Sequence, residues 1–159
     1  MEICYLTDFP AHAPMLAQWH YDQWRHLVKD DSPERRRRLL IARANRRAIP
    51  TVFVAVEGAQ LLGSATLAEH DMETRPKLTP WMIDVFVAPE FRRRGIASML
   101  VRRVVREAAE LGVAELYLYT TGPNREKLYA GLGWLVRERP VYLGIERVLM
   151  SIVPSAPQR

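Results

Sequence analysis

The sequence predicts an α/β domain: a mixed β-sheet of about seven strands flanked by about four helices. It spans residues 1–153, with residues 154–159 expected as a disordered tail. Three observations predict this class. Apolar positions at helical spacing alternate along the chain with short runs rich in β-branched and aromatic residues. The run "WMIDVFV" (81–87) is apolar on both faces apart from Asp84, as in a strand covered on both sides. No repeat, linker or low-complexity tract divides the chain.

The elements follow in order. "EICYL" (2–6) reads as a strand, and Pro10 and Pro14 keep it from running smoothly into a helix. "MLAQWHYDQWRHLV" (15–28) spaces Leu16, Trp19, Trp24 and Leu27 as a helix does. His20 and Trp24 lie one turn apart there, and the expectation is core packing with the polar tip outward. A second helix opens with Ser32 as N-cap and Pro33 at its first position, and Pro50 ends it. Its "ERRRR" (34–38) reads as a solvated face. "TVFVAV" and "LLGSATLA" form a hairpin across "EGAQ", and the charged, proline-bearing stretch 69–80 is a loop.

After the strand 81–87, Ile96, Leu100, Val104 and Ala108 recur every four residues, with Leu111 extending the same face. Arg103 with Glu107 and Arg106 with Glu110 occupy the other face, and Gly112 stops the helix. "AELYLYT" (114–120) is a strand and "NREKLYAGLG" a short helix. "WLVRER" and "VYLGIERVLMSIV" close the sheet as a pair of strands.

With 48% hydrophobic and 26% charged residues, the chain belongs with folded domains and not with disordered ones. Cys4 is the single cysteine, so no internal disulfide is available and a reducing cytoplasm is the expected location. "MEICYLTDFPAH" shows no basic segment leading into an apolar one, and no run approaches the roughly 20 apolar residues of a membrane span. No membrane partner is expected. His12, His20, His26 and His70 lack metal-ligand spacing, so no metal is expected. The net charge of +5 accommodates either a polyanion or a small anionic ligand.

The stretch "PEFRRRGIAS" (89–98) joins the apolar strand to the long helix. A helix start leaves amides unpaired and carries the positive end of the macrodipole, a combination that suits a phosphate. Gly95 removes a side chain where a ligand must approach the backbone, and Ala97 keeps the next contact small. Neither G-x-x-x-x-G-K-[ST] nor G-x-G-x-x-G is present, so both familiar phosphate loops are excluded.

Arg92-x-x-Gly95-x-Ala97, after "VFVAPEF", resembles the acyl-CoA signature [Q/R]-x-x-G-x-[G/A] of the GCN5-related N-acetyltransferases, the GNAT superfamily. "LYAGLGW" (128–134) is similar to that family's second signature, and the element order agrees with the family fold up to residue 153. Within the family, the stretch 75–98 is similar to a bacterial subgroup of unassigned specificity.

The resemblance implies acetyl-CoA as cosubstrate. Backbone amides of Arg93, Arg94, Gly95, Ile96 and Ala97, with Ser98, would hold its pyrophosphate. Val85, Phe86 and Val87 would pair with the pantetheine amides, and an amide near Val87 would stabilise the oxyanion. Tyr129 matches the family's general acid toward the departing thiolate. Asn124 matches an asparagine on the same helix, although it sits closer to the tyrosine than in many members. Strands equivalent to 81–87 and 114–120 splay apart in the family.

The acceptor side departs from the family pattern. Many members carry a glutamate early in the strand, where this chain has Trp81. Asp84 is the candidate base or cation-binding group, because a carboxylate in an apolar run needs a partner or a task; a structural ion pair is the competing reading. His70 and Asp71 are candidates for lining the acceptor site. The expected reaction is direct acetyl transfer to a primary amine of a small molecule or peptide. A non-catalytic acyl-CoA sensor is the alternative; a basic nucleic-acid-binding protein is disfavoured, since no aromatics interleave with the arginines. The acceptor and a homodimer are left open.

Overall fold

The structure, a computed structural model, describes residues 1–155. Of the expected tail, residues 156–159 lie outside the described residues. The elements are β1 (Glu2–Tyr5), α1 (Ala13–Trp24), α2 (Pro33–Arg43), β2 (Thr51–Glu57), β3 (Gln60–Ala68), β4 (Trp81–Val87), α3 (Ile96–Glu110), β5 (Leu116–Thr120), α4 (Pro123–Gly131), β6 (Leu135–Glu138), β7 (Val141–Tyr142), β8 (Ile145–Glu146) and β9 (Val148–Ile152). Seven strands form one sheet in the order β1-β2-β3-β4-β5-β9-β6, and β7 and β8 form a separate small hairpin. β4 and β5 are parallel; every other neighbouring pair in the sheet is antiparallel.

Both faces of the sheet are covered. Along β2, Val52, Val54 and Val56 pack with Leu16, Ala17 and Leu40 of α1 and α2. The alternate residues Phe53 and Ala55 pack on the opposite face with Ile96, Leu100, Val104 and Ala108 of α3. The period of two in the strand meets the period of about 3.6 in each helix, and a continuously apolar strand results.

Several expectations change. Leu111 is 36% exposed and does not extend the core face of α3. Glu107, expected on the solvent face, is buried. Tyr5 Oη donates to its carboxylate at 2.7 Å, and Arg103 Nη1 at 3.1 Å. His20 turns inward, with Nε2 2.9 Å from Ser64 Oγ. Of "ERRRR", Arg36 is buried and paired with Asp31 at 2.9 Å. α2 ends at Arg43, before Pro50, because Asn45 folds the intervening segment: its Nδ2 donates to the Pro50 carbonyl, and its own carbonyl accepts from Thr51 Oγ1. The closing pair of strands becomes β6 and β9 with the β7–β8 hairpin between them.

Candidate functional site

β4 and β5 pair at Trp81 and Tyr117, and Tyr117 N donates to the Pro80 carbonyl at 3.1 Å. No later residues of the two strands pair. The strands diverge from that point, and a cavity of about 500 Å³ opens between Met82–Val85 on one side and Leu118–Thr121 on the other. Asp71, Glu73, Tyr129, Tyr142 and Arg147 complete its walls, together with residues of α1, α2 and the segment between them.

A bulge shapes the β4 side. Ser64 pairs with Phe86 and Thr66 with Ile83, so two steps along β3 span three along β4. The extra residue takes Asp84 and Val85 out of the ladder, with Asp84 at φ 53°. Asp tolerates this left-handed conformation better than most side chains. The bulge therefore presents a carboxylate and unpaired backbone to the cavity. Gly63 makes it feasible, because a Cβ there would collide with the Phe86 carbonyl oxygen.

The electrostatics follow from burial. Asp84 faces Arg43 across 3.7 Å. Burial, reinforced by the Asp84 charge, pushes the Asp71 carboxyl up to about 7. Burial pushes the His20 imidazole down to about 4, so it is neutral at physiological pH beneath the site. His20 and Trp24 hold Phe86 edge-on. Tyr119 is pushed well above the ordinary phenol range by burial and by the Asp71 charge. Tyr129 is buried, stacks edge-on against Trp134, and is also raised by burial. Its hydroxyl therefore keeps its proton at neutral pH.

β4 leads from this cavity into the turn before α3. Arg93 (φ 65°) and Gly95 (φ 76°) both adopt left-handed backbone, and Gly95 caps the helix without a side-chain acceptor. The first amide of the helix to find a partner is Met99 N, bonded to the Gly95 carbonyl. Among the described residues, no amide of 93–98 donates a hydrogen bond, which leaves free N–H groups at the positive end of α3.

A model of the Acetyltransferase (GNAT) family matches residues 13–134. The chain belongs to the GNAT acetyltransferase family. Its fold is that of several solved structures at low identity. One is yncA, a putative acetyltransferase from Salmonella typhimurium with its cofactor acetyl-CoA (16% identity, all of this chain and 96% of that one, TM-score 0.76). Another is spermidine N-acetyltransferase from Vibrio cholerae in complex with CoA and spermine (17%, 96% and 95%, 0.72). A third is ribosomal-protein-alanine N-acetyltransferase from Brucella melitensis (21%, 96% and 99%, 0.74). No curated protein matches the sequence.

On this GNAT scaffold the residues expected from sequence divide into groups. Asp84, Val85, Asp71 and Tyr129 share one cavity. Phe86 and Val87 are buried farther along β4. Gly95, Ile96, Ala97 and Ser98 supply the free amides together with Arg93 and Arg94. The arginine side chains have other partners: Arg92 Nε donates to the Val87 carbonyl at 2.9 Å, and Arg94 pairs with Glu57 at 3.0 Å. Asn124 is exposed in the first turn of α4 and does not line the cavity, nor does His70.

Sequence reasoning missed Tyr119, Tyr142, Arg43 and Arg147 as lining residues. Arg147 carried a usable signal: like Asp84, it is a charge inside an apolar strand-like run.

Proposed function

We propose that this protein is an acetyl-CoA-dependent N-acetyltransferase that moves the acetyl group directly to a primary amine of a small molecule or peptide. The observation that carries the reading is that one cavity brings together the carboxyl groups of Asp84 and Asp71 and the protonated Tyr129, and that β4, which carries Asp84, runs from it into the free-amide turn at the start of α3. The CoA-bound Salmonella and Vibrio structures support acetyl-CoA as the acetyl donor.

In this reading the pyrophosphate sits on the amides of Arg93 to Ser98. Pantetheine follows the unpaired backbone of Val85 toward Val87, with Asn124 at the outer edge of the groove. The thioester then lies between Asp84 and Tyr129. The acceptor ammonium must lose a proton before its nitrogen can attack. A carboxyl at about 7, as at Asp71, is a stronger base than an ordinary aspartate and takes that proton with Asp84 beside it. The nitrogen attacks the carbonyl carbon, and a backbone amide near Val87 holds the oxyanion. When the C–S bond breaks, the sulfur takes the Tyr129 proton, and the second proton of the attacking nitrogen passes to the resulting tyrosinate as the amide forms.

The basic nucleic-acid reading loses support because Arg35, Arg36, Arg94 and Arg103 are engaged with carboxylates. The test is an amine panel of polyamines, amino acids, aminoglycosides and peptides, read by release of free CoA thiol. Thermal stability is followed in parallel with acetyl-CoA. Thiol release with at least one class is expected. Silence from every acceptor while acetyl-CoA still stabilises the fold would instead favour the sensor.

A further inference from the structure

Two arginines in the described chain are less than one-tenth exposed, Arg36 at 7% and Arg147 at 6%. Arg36 has its counter-ion, Asp31, at 2.9 Å. Among the described residues Arg147 has none. Its Nε donates to the Tyr142 carbonyl at 3.1 Å and its Nη1 to Thr121 Oγ1 at 2.9 Å, both neutral acceptors. Its Nη2 is buried and has no hydrogen-bond partner among the described residues. The Tyr119 ring, 5.7 Å from the guanidinium carbon, compensates the charge only in part. A buried charge and an orphaned donor are each costly, and an anionic partner would offset both costs at once.

The place of Arg147 points to the kind of partner it would take. It lines the cavity that holds Asp71, Glu73 and Asp84. The other cations on that wall are accounted for: Arg35 and Arg36 pair with Asp31 and Arg43 with Asp84, while Lys29 and Arg125 are exposed to water. The Tyr119 phenol feels both signs of charge, Asp71 and Arg147. Glu73 N donates to Tyr142 Oη at 3.3 Å, which ties the loop carrying the acids to the hairpin beside Arg147.

We propose that Arg147 is the binding site for a carboxylate on the acceptor, so that the cavity takes an amino carboxylate, with the amine at Asp84 and Asp71 and the carboxylate at Arg147. This rests on the N-acetyltransferase reading for the chemistry, but the carboxylate site itself can be tested by binding alone. A guanidinium held by two neutral acceptors, with a third nitrogen free, offers a pre-positioned charge-assisted bond.

The experiment measures binding of the twenty common L-amino acids and their carboxamides to the CoA-saturated protein by calorimetry. In parallel, thiol release from acetyl-CoA is followed with the same compounds. The expected result is that at least one amino acid binds at least tenfold more tightly than its carboxamide. Arg147→Gln should bring that ratio to about one, and Arg147→Lys should restore part of it. Binding of acids and amides with equal affinity by the unaltered protein overturns the proposal, as does binding of neither; both outcomes are read without any variant. A variant that loses CoA affinity and keeps the acid-over-amide ratio also overturns it, since Arg147 would then serve CoA. Thiol silence alongside selective binding of an acid would count against the transferase reading and for the Arg147 site.

Discussion

Trp81 and Tyr117 are the single paired position between the parallel strands β4 and β5, and their rings pack 5.7 Å apart at the closed end of the cleft. Past this hinge the strands separate, so the backbone of β4 from Met82 onward faces open space. The Trp81 indole is fixed by its own hydrogen bond to the Leu78 carbonyl at 2.6 Å.

Tyr129→Phe removes a hydroxyl that has no hydrogen-bond partner among the described residues, so folding loses little. Turnover is expected to fall about 10²-fold or more, as for removal of a general acid. Acetyl-CoA affinity should change by no more than about threefold, well within the tenfold that corresponds to about 1.4 kcal/mol. Steady-state thiol release with parallel calorimetry checks this; a larger loss in affinity than in turnover would make Tyr129 a binding residue.

Asp84→Asn retains a side chain that tolerates φ 53° while deleting the charge. kcat/KM is expected to drop about 10²-fold, because Asp71 loses the neighbouring charge that helps raise it and the acceptor loses a partner for its cation, with the melting temperature nearly unchanged. Asp84→Val, β-branched at the same φ, should lower stability as well. Equal activity in Asp84→Asn and the unaltered protein would reduce Asp84 to the structural partner of Arg43.

Gly63→Ala places a Cβ against the Phe86 carbonyl oxygen, a backbone atom that cannot rotate away. The bulge must move, at a cost of about 1–3 kcal/mol. Urea denaturation measures the loss. Because the bulge presents Asp84, activity should fall beyond what the lost stability accounts for.

Gly95→Asp tests the amide turn. A Cβ at Gly95 meets nothing within 4 Å, so the substitution strains φ and adds charge without a clash. Gly95→Ala carries the strain alone, about 1–2 kcal/mol. The aspartate should weaken acetyl-CoA binding at least about tenfold more than the alanine does, through repulsion of the phosphates. Equal affinities for the two variants would remove the pyrophosphate from this turn.

The pH dependence of stability reflects two opposed groups. Asp71, raised from 3.8 to about 7, contributes stability that is fully present at low pH and lost as pH rises through about 7. His20, lowered from 6.5 to about 4, contributes stability that is present above 6.5 and lost as pH falls toward 4. Their slopes oppose one another between pH 4 and 6.5. Asp71→Asn leaves His20 unopposed, so the urea midpoint of the variant should climb more steeply with pH across that window. Parallel profiles would show that Asp71 titrates normally.

The sequence by itself determined the order of elements as far as β6, the double-faced burial of the central strands and the helix start at Gly95. These are local facts: periodicity, capping and a glycine are properties of neighbouring residues. Tyr129 and Asp84 were legible because each breaks or completes a short local pattern. The tertiary structure decided the rest. Glu107 looked like one end of a surface pair with Arg103, yet Tyr5, far away in sequence, meets it and allows its burial. His20 turned inward because Ser64 on β3 offers its imidazole a partner. Asp71 acquired its raised carboxyl from burial beside Asp84, thirteen residues along the chain, and Arg147 sits without a counter-ion in a wall assembled from segments far apart in the sequence. Charges and hydrogen bonds act across space, and a linear reading does not supply the distances that decide them.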